Sequence, residues 1–260
     1  MPSQTRMNDT LCSESPPVTL MGIDLAWQPE KNPSALATGE LRGNHLLIHR
    51  VDHGITGLQN IMTLIDSVSD LRGLAIDASL VINNTTGKRD CERDLSRVYG
   101  GRKAGCHSSN LTLYPDPASV RLAGLLESRG FKLQGPPDAG HWMIECYPHP
   151  AIIELFGLPE RLLYKKGNVA GKRAGQIRLA RLLAGLSQSR RLKLTLAPTC
   201  CHLLDETVIT GNRGQALKSH EDALDAIVCA CIAACYTQAP DNRMFGDRAN
   251  GHIYVPQGQA

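Results

Sequence analysis

The order of periodicities along the chain predicts an α/β fold, a mixed five-stranded sheet flanked by helices. Three β-like runs joined by short Gly- and Asn-containing connectors come first, which favours an antiparallel meander. Two further apolar runs each follow a stretch of helical period, so they read as strands reached by crossover, and a long Ala- and Cys-rich helix comes near the end. With 260 residues, 42% of them hydrophobic, and no shift in composition, the chain suits one large core.

Residues 18–26 read as a buried strand, and the turn residues at 29–33 lead into β-like runs at 35–41 and 45–51. Arg42, Gly43 and Asn44 form the tight link between those two, because Gly and Asn tolerate the positive φ of hairpin turns. Leu58, Ile61, Leu64, Ile65 and Val68 recur with helical period, and a strand at 73–78 follows. Residues 83–114 are polar and basic, with at most one helical piece at 92–99. A stretch of that length inside a compact domain is expected to be a functional loop or insertion. A helix at 116–128 ends at Gly130, and a strand at 142–146 is stopped by Pro148 and Pro150. Helices at 151–156, 172–186 and 219–236 and a short closing strand at 252–255 complete the series. Right-handed crossover lets 73–78 pair parallel to 18–26, which sets Asp77 beside Asp24 at one end of the sheet.

The first 17 residues, rich in Ser, Thr and Pro and lacking an apolar stretch of signal-peptide length, read as a disordered lead-in to a single domain over 18–260. The longest apolar run, at 226–235, falls short of the roughly 20 residues of a membrane span, so a buried helix and a cytoplasmic location are expected. No C-x-x-C pair occurs among the nine cysteines, which are expected to be mostly core thiols. Cys106 beside His107 is the one local hint of zinc.

Acid occurs at four places among apolar neighbours: Asp24, Asp77, Glu145, and the pair Asp222 and Asp225. A buried charge is costly unless something compensates it. Each has an ordinary explanation: Asp24 capping a turn, Asp77 capping a helix, Glu145 paired with an arginine, or Glu221 and Asp222 in the acid-rich first turn of a helix. Asp225 lies deeper in the apolar run, and at a spacing of three it shares a helix side with Asp222. Carboxylates gathered from distant segments repel one another, and the usual remedy is a hard divalent cation with oxygen ligands, Mg²⁺ or Mn²⁺. Phosphodiester hydrolysis is the chemistry such a site best supports.

These pieces, GIDLAW at 22–27, AIDASL at 75–80 with Asn83, Arg89 and Glu92 beyond it, ECYPHP at 145–150 and HEDALDAIVCA at 220–230, resemble the RNase H-like superfamily. They are most similar to a family described as predicted RNase H-like nucleases. The resemblance implies an RNase H-like fold, with Asp24 as a bridging metal ligand, Asp77 or Glu145 as the second acidic ligand, and Asp225, supported by Asp222, closing the site from the helix. It also implies two-metal hydrolysis of a nucleic acid, DNA or RNA, with Asn83, Arg89 and Glu92 on the substrate side. The net charge of +3 permits such a polyanionic partner.

Lys88, Arg89, Arg93, Arg97, Arg102 and Lys103, then Lys165, Lys166, Lys172 and Arg173, are expected to flank the acidic cleft and contact phosphates. His149, set between two prolines, is a candidate for orienting a ligand or moving a proton. Aromatic residues make up only 4% of the chain, which argues against a stacking platform for single strands, although Trp27 adjoins Asp24 in sequence. Two alternatives stand beside the nuclease. A nucleotide-binding protein of related fold would carry a Gly-rich turn where Asp24 is followed by Leu25, Ala26 and Trp27, and a non-catalytic nucleic-acid-binding module would have no use for buried acid.

Overall fold

A computed structural model describes residues 16–239 and 242–258. Residues 1–15 of the expected N-terminal lead-in lie outside the described residues, and 16–17 enter the first strand without regular structure. In chain order the elements are β1 (Val18–Asp24), β2 (Ser34–Arg42), β3 (His45–Ile55), α1 (Leu58–Asp66), β4 (Leu71–Asp77), α2 (Asp90–Tyr99), α3 (Ala118–Glu127), β5 (Lys132–Leu133) and β6 (Trp142–Glu145). There follow α4 (Pro148–Phe156), α5 (Val169–Gly185), β7 (Lys193–Leu196), α6 (Glu206–Gly211), α7 (Gly214–Gln238), β8 (Met244–Asp247) and β9 (Gly251–Tyr254).

The mixed sheet has seven strands rather than five, in the order β5-β6-β4-β1-β2-β3-β7. Its centre follows the expected pattern: β1, β2 and β3 form an antiparallel meander, and β4 pairs parallel to β1 with β6 parallel to β4. The additional strands are short edge pieces, β5 beside β6 and β7 beside β3. A two-residue strand cannot display a period, and the alternation of Leu192, Leu194 and Leu196 with polar residues spans too few positions to stand out. The closing strand expected at 252–255 is β9, but it pairs with β8 in a separate hairpin, linked to the main sheet by a single bridge from Tyr254 to Cys146. Within the polar stretch at 83–114, α2 packs Cys91, Leu95 and Tyr99 against Phe245 and Ile253 of that hairpin.

Alternation along the strands sorts the side chains between two layers. Met21, Ile23, Leu74, Ile76 and Met143 pack with Ile61 and Ile65 of α1 and with Leu122 and Leu126 of α3. Leu20, Ala35, Ala37, Ala75 and Ile144 lie on the other face, with α7 and parts of α4 and α5. This second face is paved with small residues where α7 crosses. Gly22 is flanked in register by Ala37 and Ala75, and a Cβ built on it would run into the backbone of Ala226, Cys229 and Ala230. Helix backbone therefore rests directly on strand backbone at Ala226 and Ala230.

The helix also begins five residues earlier than its expected start at 219. Glu221 and Asp222 are thus beyond the first turn, where the helix dipole no longer rewards acid. The apolar run 226–235 is buried throughout, and among the described residues no helix is long and apolar enough to cross a membrane. The cysteines at 91, 146, 200, 229, 231 and 235 are buried free thiols, as expected of core residues.

The contact at Gly22 makes a specific prediction. Because the atoms opposing a new methyl group are backbone rather than flexible side chains, Gly22→Ala should lower stability by at least the upper end of the about 1–3 kcal/mol typical of overpacking. Urea unfolding measures it, and a change within about 0.5 kcal/mol, the range of an inert surface substitution, would contradict the close approach.

Candidate metal and phosphate site

Asp24 and Asp77 are the last residues of β1 and β4 and are directly paired in the parallel register. Asp24 shares a sheet face with Gly22 and Leu20, and Asp77 with Ala75 and Gly73, so both carboxylates lie on the side covered by α7, which presents Asp222 and Asp225. Asp24, Asp77 and Asp222 line a cavity of roughly 470 Å³ whose wall also includes Tyr164, Lys165, Lys218 and His149, and Asp225 lies behind that wall, held by Tyr164 and Lys165.

Their partners divide the aspartates into two kinds. Asp225, fully buried, accepts a hydrogen bond from the Tyr164 hydroxyl at 2.6 Å on Oδ1 and has Lys165 Nζ 2.6 Å from Oδ2. Asp222 takes the Lys218 ammonium at 2.5 Å on Oδ1, while its buried Oδ2 has no hydrogen-bond partner among the described residues. Neither Asp24 nor Asp77 receives a hydrogen bond from any described residue.

The electrostatics follow from that division. Burial pushes the Asp24 carboxyl well above the usual carboxylate range; Lys165 opposes the shift, and Asp225, Asp77 and Asp222 add to it. Burial raises Asp77 to about 7, against the pull of Lys165 and with repulsion from Asp225 and Glu145. Lys165 is raised as well, which for a lysine favours the charged form: burial disfavours its charge, but Asp225, Tyr164, Asp24 and Asp77 together hold it protonated well above the ordinary lysine value.

Glu145, grouped with these acids from sequence, lines the same cavity together with Arg89 and Glu92, but from the other face of the sheet and with its carboxylate already engaged. Its register partner is Ile76, so it points to the face opposite that of Asp24 and Asp77. Both its oxygens are occupied, Oε1 by Arg89 Nη2 at 2.5 Å and Oε2 by Arg89 Nη1 at 2.9 Å and the Leu80 amide at 3.0 Å. Arg89 also bonds Glu92 through Nε and Ser79 through Nη2, and Glu92 accepts the amides of Arg89 and Ser109. Arg89, Glu92 and Glu145 therefore form a closed buried network in which all four carboxylate oxygens accept hydrogen bonds, with one guanidinium shared between two carboxylates. The Glu145 amide in turn donates to Nε2 of His252, which fastens β9 to the sheet.

The other sequence candidates scatter. Asn83 donates to the Ala249 carbonyl in the β8–β9 turn, and Arg173 donates to the Asn212 carbonyl. Neither Lys172 nor Arg173 lines the cavity. Arg93, Arg97, Arg102 and Lys103 are engaged by Asp90, Asp94, Glu154 and Glu160, and Lys88 donates to Ser96. His149 does reach the cavity, edge-on to Tyr147 and Tyr164. Burial, then Lys165 and Arg161, lowers it to about 2, so it is a neutral wall residue and a poor proton carrier. Trp27 stacks on Tyr114 with ring centroids 4.0 Å apart at the cavity rim.

Arg161, Tyr164 and Lys218 are site residues that sequence reading missed, and Lys165 was read only as part of a basic surface. Lys218 had a visible signal, its spacing of four before Asp222. Arg161 and Tyr164 sit in an irregular segment with no periodic pattern to mark them. Arg161 and Lys166 line the cavity without an ion pair among the described residues, and Arg161 Nε is buried without a hydrogen-bond partner. No group of three or more His, Cys, Asp or Glu side chains among the described residues is drawn close enough to form a ready-made metal cage. The hint of zinc at Cys106 and His107 falls under the same finding.

The chain belongs to the family described as “Protein of unknown function (DUF429)”, which matches residues 22–248. No curated protein and no solved structure matches it.

The raised carboxyl of Asp77 sets a pH dependence. Its protonated form is favoured in the folded state, so its contribution to stability is complete below the ordinary value of 3.8 and is lost as pH rises through about 7. In EDTA the melting temperature should fall between pH 5 and pH 8, and Asp77→Asn should flatten that fall. An identical pH profile for the variant would contradict the burial of an unmatched carboxylate.

Proposed function

We propose that this DUF429 member hydrolyses phosphodiester bonds in nucleic acid with a divalent cation, Mg²⁺ or Mn²⁺, on an RNase H-like core. The central strand order β3-β2-β1-β4-β6, with acid ending β1 and β4 and α7 laid across β1, supports the fold assignment. The observation that carries the function is the pair Asp24 and Asp77, desolvated, side by side and without hydrogen bonds, facing an Asp222 oxygen that also lacks a partner. A fold gains nothing from such charge unless a ligand answers it.

The donor set is oxygen only, which suits a hard cation. Mg²⁺ keeps several waters and takes one or two carboxylates plus substrate phosphate, so the reading does not require a cage of three or more protein ligands, and none is formed among the described residues. Asp24 and Asp77 would hold it, with Asp222 beside them in the cavity wall, and when bound it would activate water and stabilise the leaving oxygen. The protein supplies the rest. Lys218 orients Asp222, while Tyr164 and Lys165 immobilise Asp225. Arg161 and Lys166 offer unpaired cations to the phosphate backbone.

The cavity volume favours one further reading. Roughly 470 Å³ falls in the range of about 300–1,000 Å³ typical of small-molecule sites, so a nucleotide bound for its own sake would also fit. Labelled DNA and RNA oligonucleotides, single-stranded, duplex and branched, incubated with Mn²⁺ or with EDTA, separate the two. Metal-dependent cleavage should fall more than about 100-fold in Asp24→Asn and Asp77→Asn, because even the outer partners of a metal ligand are worth about 10–100-fold. Arg161→Ala and Lys166→Ala should each flatten the log–log salt dependence of duplex binding by about 0.9 for each phosphate left unneutralised. Thermal stabilisation by nucleotides with no cleavage of any oligonucleotide would instead establish the second reading.

A further inference from the structure

We propose that the ammonium of Lys165 occupies the place of a second cation in this site, so that the protein takes up one divalent ion and not two. The inference rests on reading the aspartates as a divalent-ion site, and goes beyond it by fixing the number of ions and the residue responsible.

Lys165 is not a surface lysine that happens to point inward. The backbone of Leu163 and Tyr164 is pressed against α5 at Gly175, where a Cβ would run into both residues. Tyr164 is wholly buried, with its ring edge-on to His149 at 5.5 Å and its hydroxyl on Asp225. The chain entering Lys165 is thus anchored, and its side chain is only 26% exposed as it reaches Asp225 Oδ2 at 2.6 Å. Asp225 then has both oxygens engaged, one by a hydroxyl and one by an ammonium, which is the condition of a carboxylate already provided with its cation. The same ammonium is the largest charge opposing the upward shift of Asp24 and of Asp77.

What remains bare is correspondingly small. Asp225 Oδ2 is held by the Lys165 ammonium as an ion pair without hydrogen-bond geometry, whereas Asp24, Asp77 and Oδ2 of Asp222 have neither a hydrogen bond nor an ion pair among the described residues. Four aspartates against the ammonium groups of Lys165 and Lys218 leave two negative charges, the complement of one divalent ion. Counting Glu221, which shares Lys218 at 2.8 Å, leaves three, still short of the four that two divalent ions would balance. A fixed ammonium neutralises carboxylate oxygens through its three N–H donors, where a metal ion would do so by coordination.

The experiment counts Mn²⁺ bound per full-length chain by equilibrium dialysis, with the electron paramagnetic resonance spectrum reporting whether bound ions are isolated or coupled. The wild type should bind one isolated ion, and Lys165→Arg should do the same. Lys165→Met frees Asp225 and should bind two coupled ions, and adding Asp225→Asn to it should return the count to one. If Lys165→Met does not fold, the wild-type count and spectrum decide by themselves. Two coupled ions in the wild type, or a single ion in both wild type and a folded Lys165→Met, would overturn the inference while leaving the metal-dependent reading in place. No bound Mn²⁺ in any of the proteins would overturn both.

Discussion

The rest of the site depends on one contact, the backbone of α7 lying directly on β1 at Gly22. A helix standing at an ordinary side-chain distance would leave Asp222 and Asp225 above a layer of apolar residues. Here Gly22, Ala37 and Ala75 remove that layer, and the helix drops until its acidic turn meets the ends of β1 and β4. The same strands carry Asp24 and Asp77 at their carboxyl ends, where crevices of α/β sheets bind ligands. Small residues in the sheet therefore determine how closely the carboxylates approach one another.

Concentrating acid in this way is unfavourable, and the molecule deals with most of it internally. Arg89 is shared between Glu145 and Glu92 on one face of the sheet; Lys165 pairs with Asp225 and Lys218 with Asp222 on the other. Buried pairs of this kind contribute little net stability, but removing one partner is costly, so they act chiefly to hold geometry. Against that background the two aspartates with no partner stand out. Among the described residues the buried acids Glu92, Glu145, Asp222 and Asp225 are each paired with a cation, and Asp24 and Asp77 are not.

Much of the core was legible because it obeys strong local rules. Runs of apolar residues ending in Asp24 and Asp77, the Gly43–Asn44 turn, and alanines at 226 and 230 each declare an element or a contact within a short window. The beginning of α7 was not, since Gly214 to Lys218 carries neither a cap residue nor an apolar stripe; the helix starts on Arg213 without a side-chain cap. Glu145 shows the limit most clearly. Its alternation with Met143 already placed it on the other face from its neighbours Ile144 and Cys146, but its partner Arg89 lies 56 residues away in a stretch that reads as loop. Lys165 looked like one of several cations in a basic segment, and only the packing of Leu163 and Tyr164 on Gly175 turns it inward while Lys172 and Arg173 stay outside the cavity.

The central claim is that the unpaired carboxylates of β1 and β4 exist to receive a cation. A crystal structure of the full chain grown with Mn²⁺, with diffraction recorded at the manganese edge, tests it most directly. An anomalous peak in the cavity beside Asp24 and Asp77, with Lys165 still on Asp225, is the predicted result. An empty cavity at saturating Mn²⁺, with Asp24 and Asp77 still side by side, would contradict it.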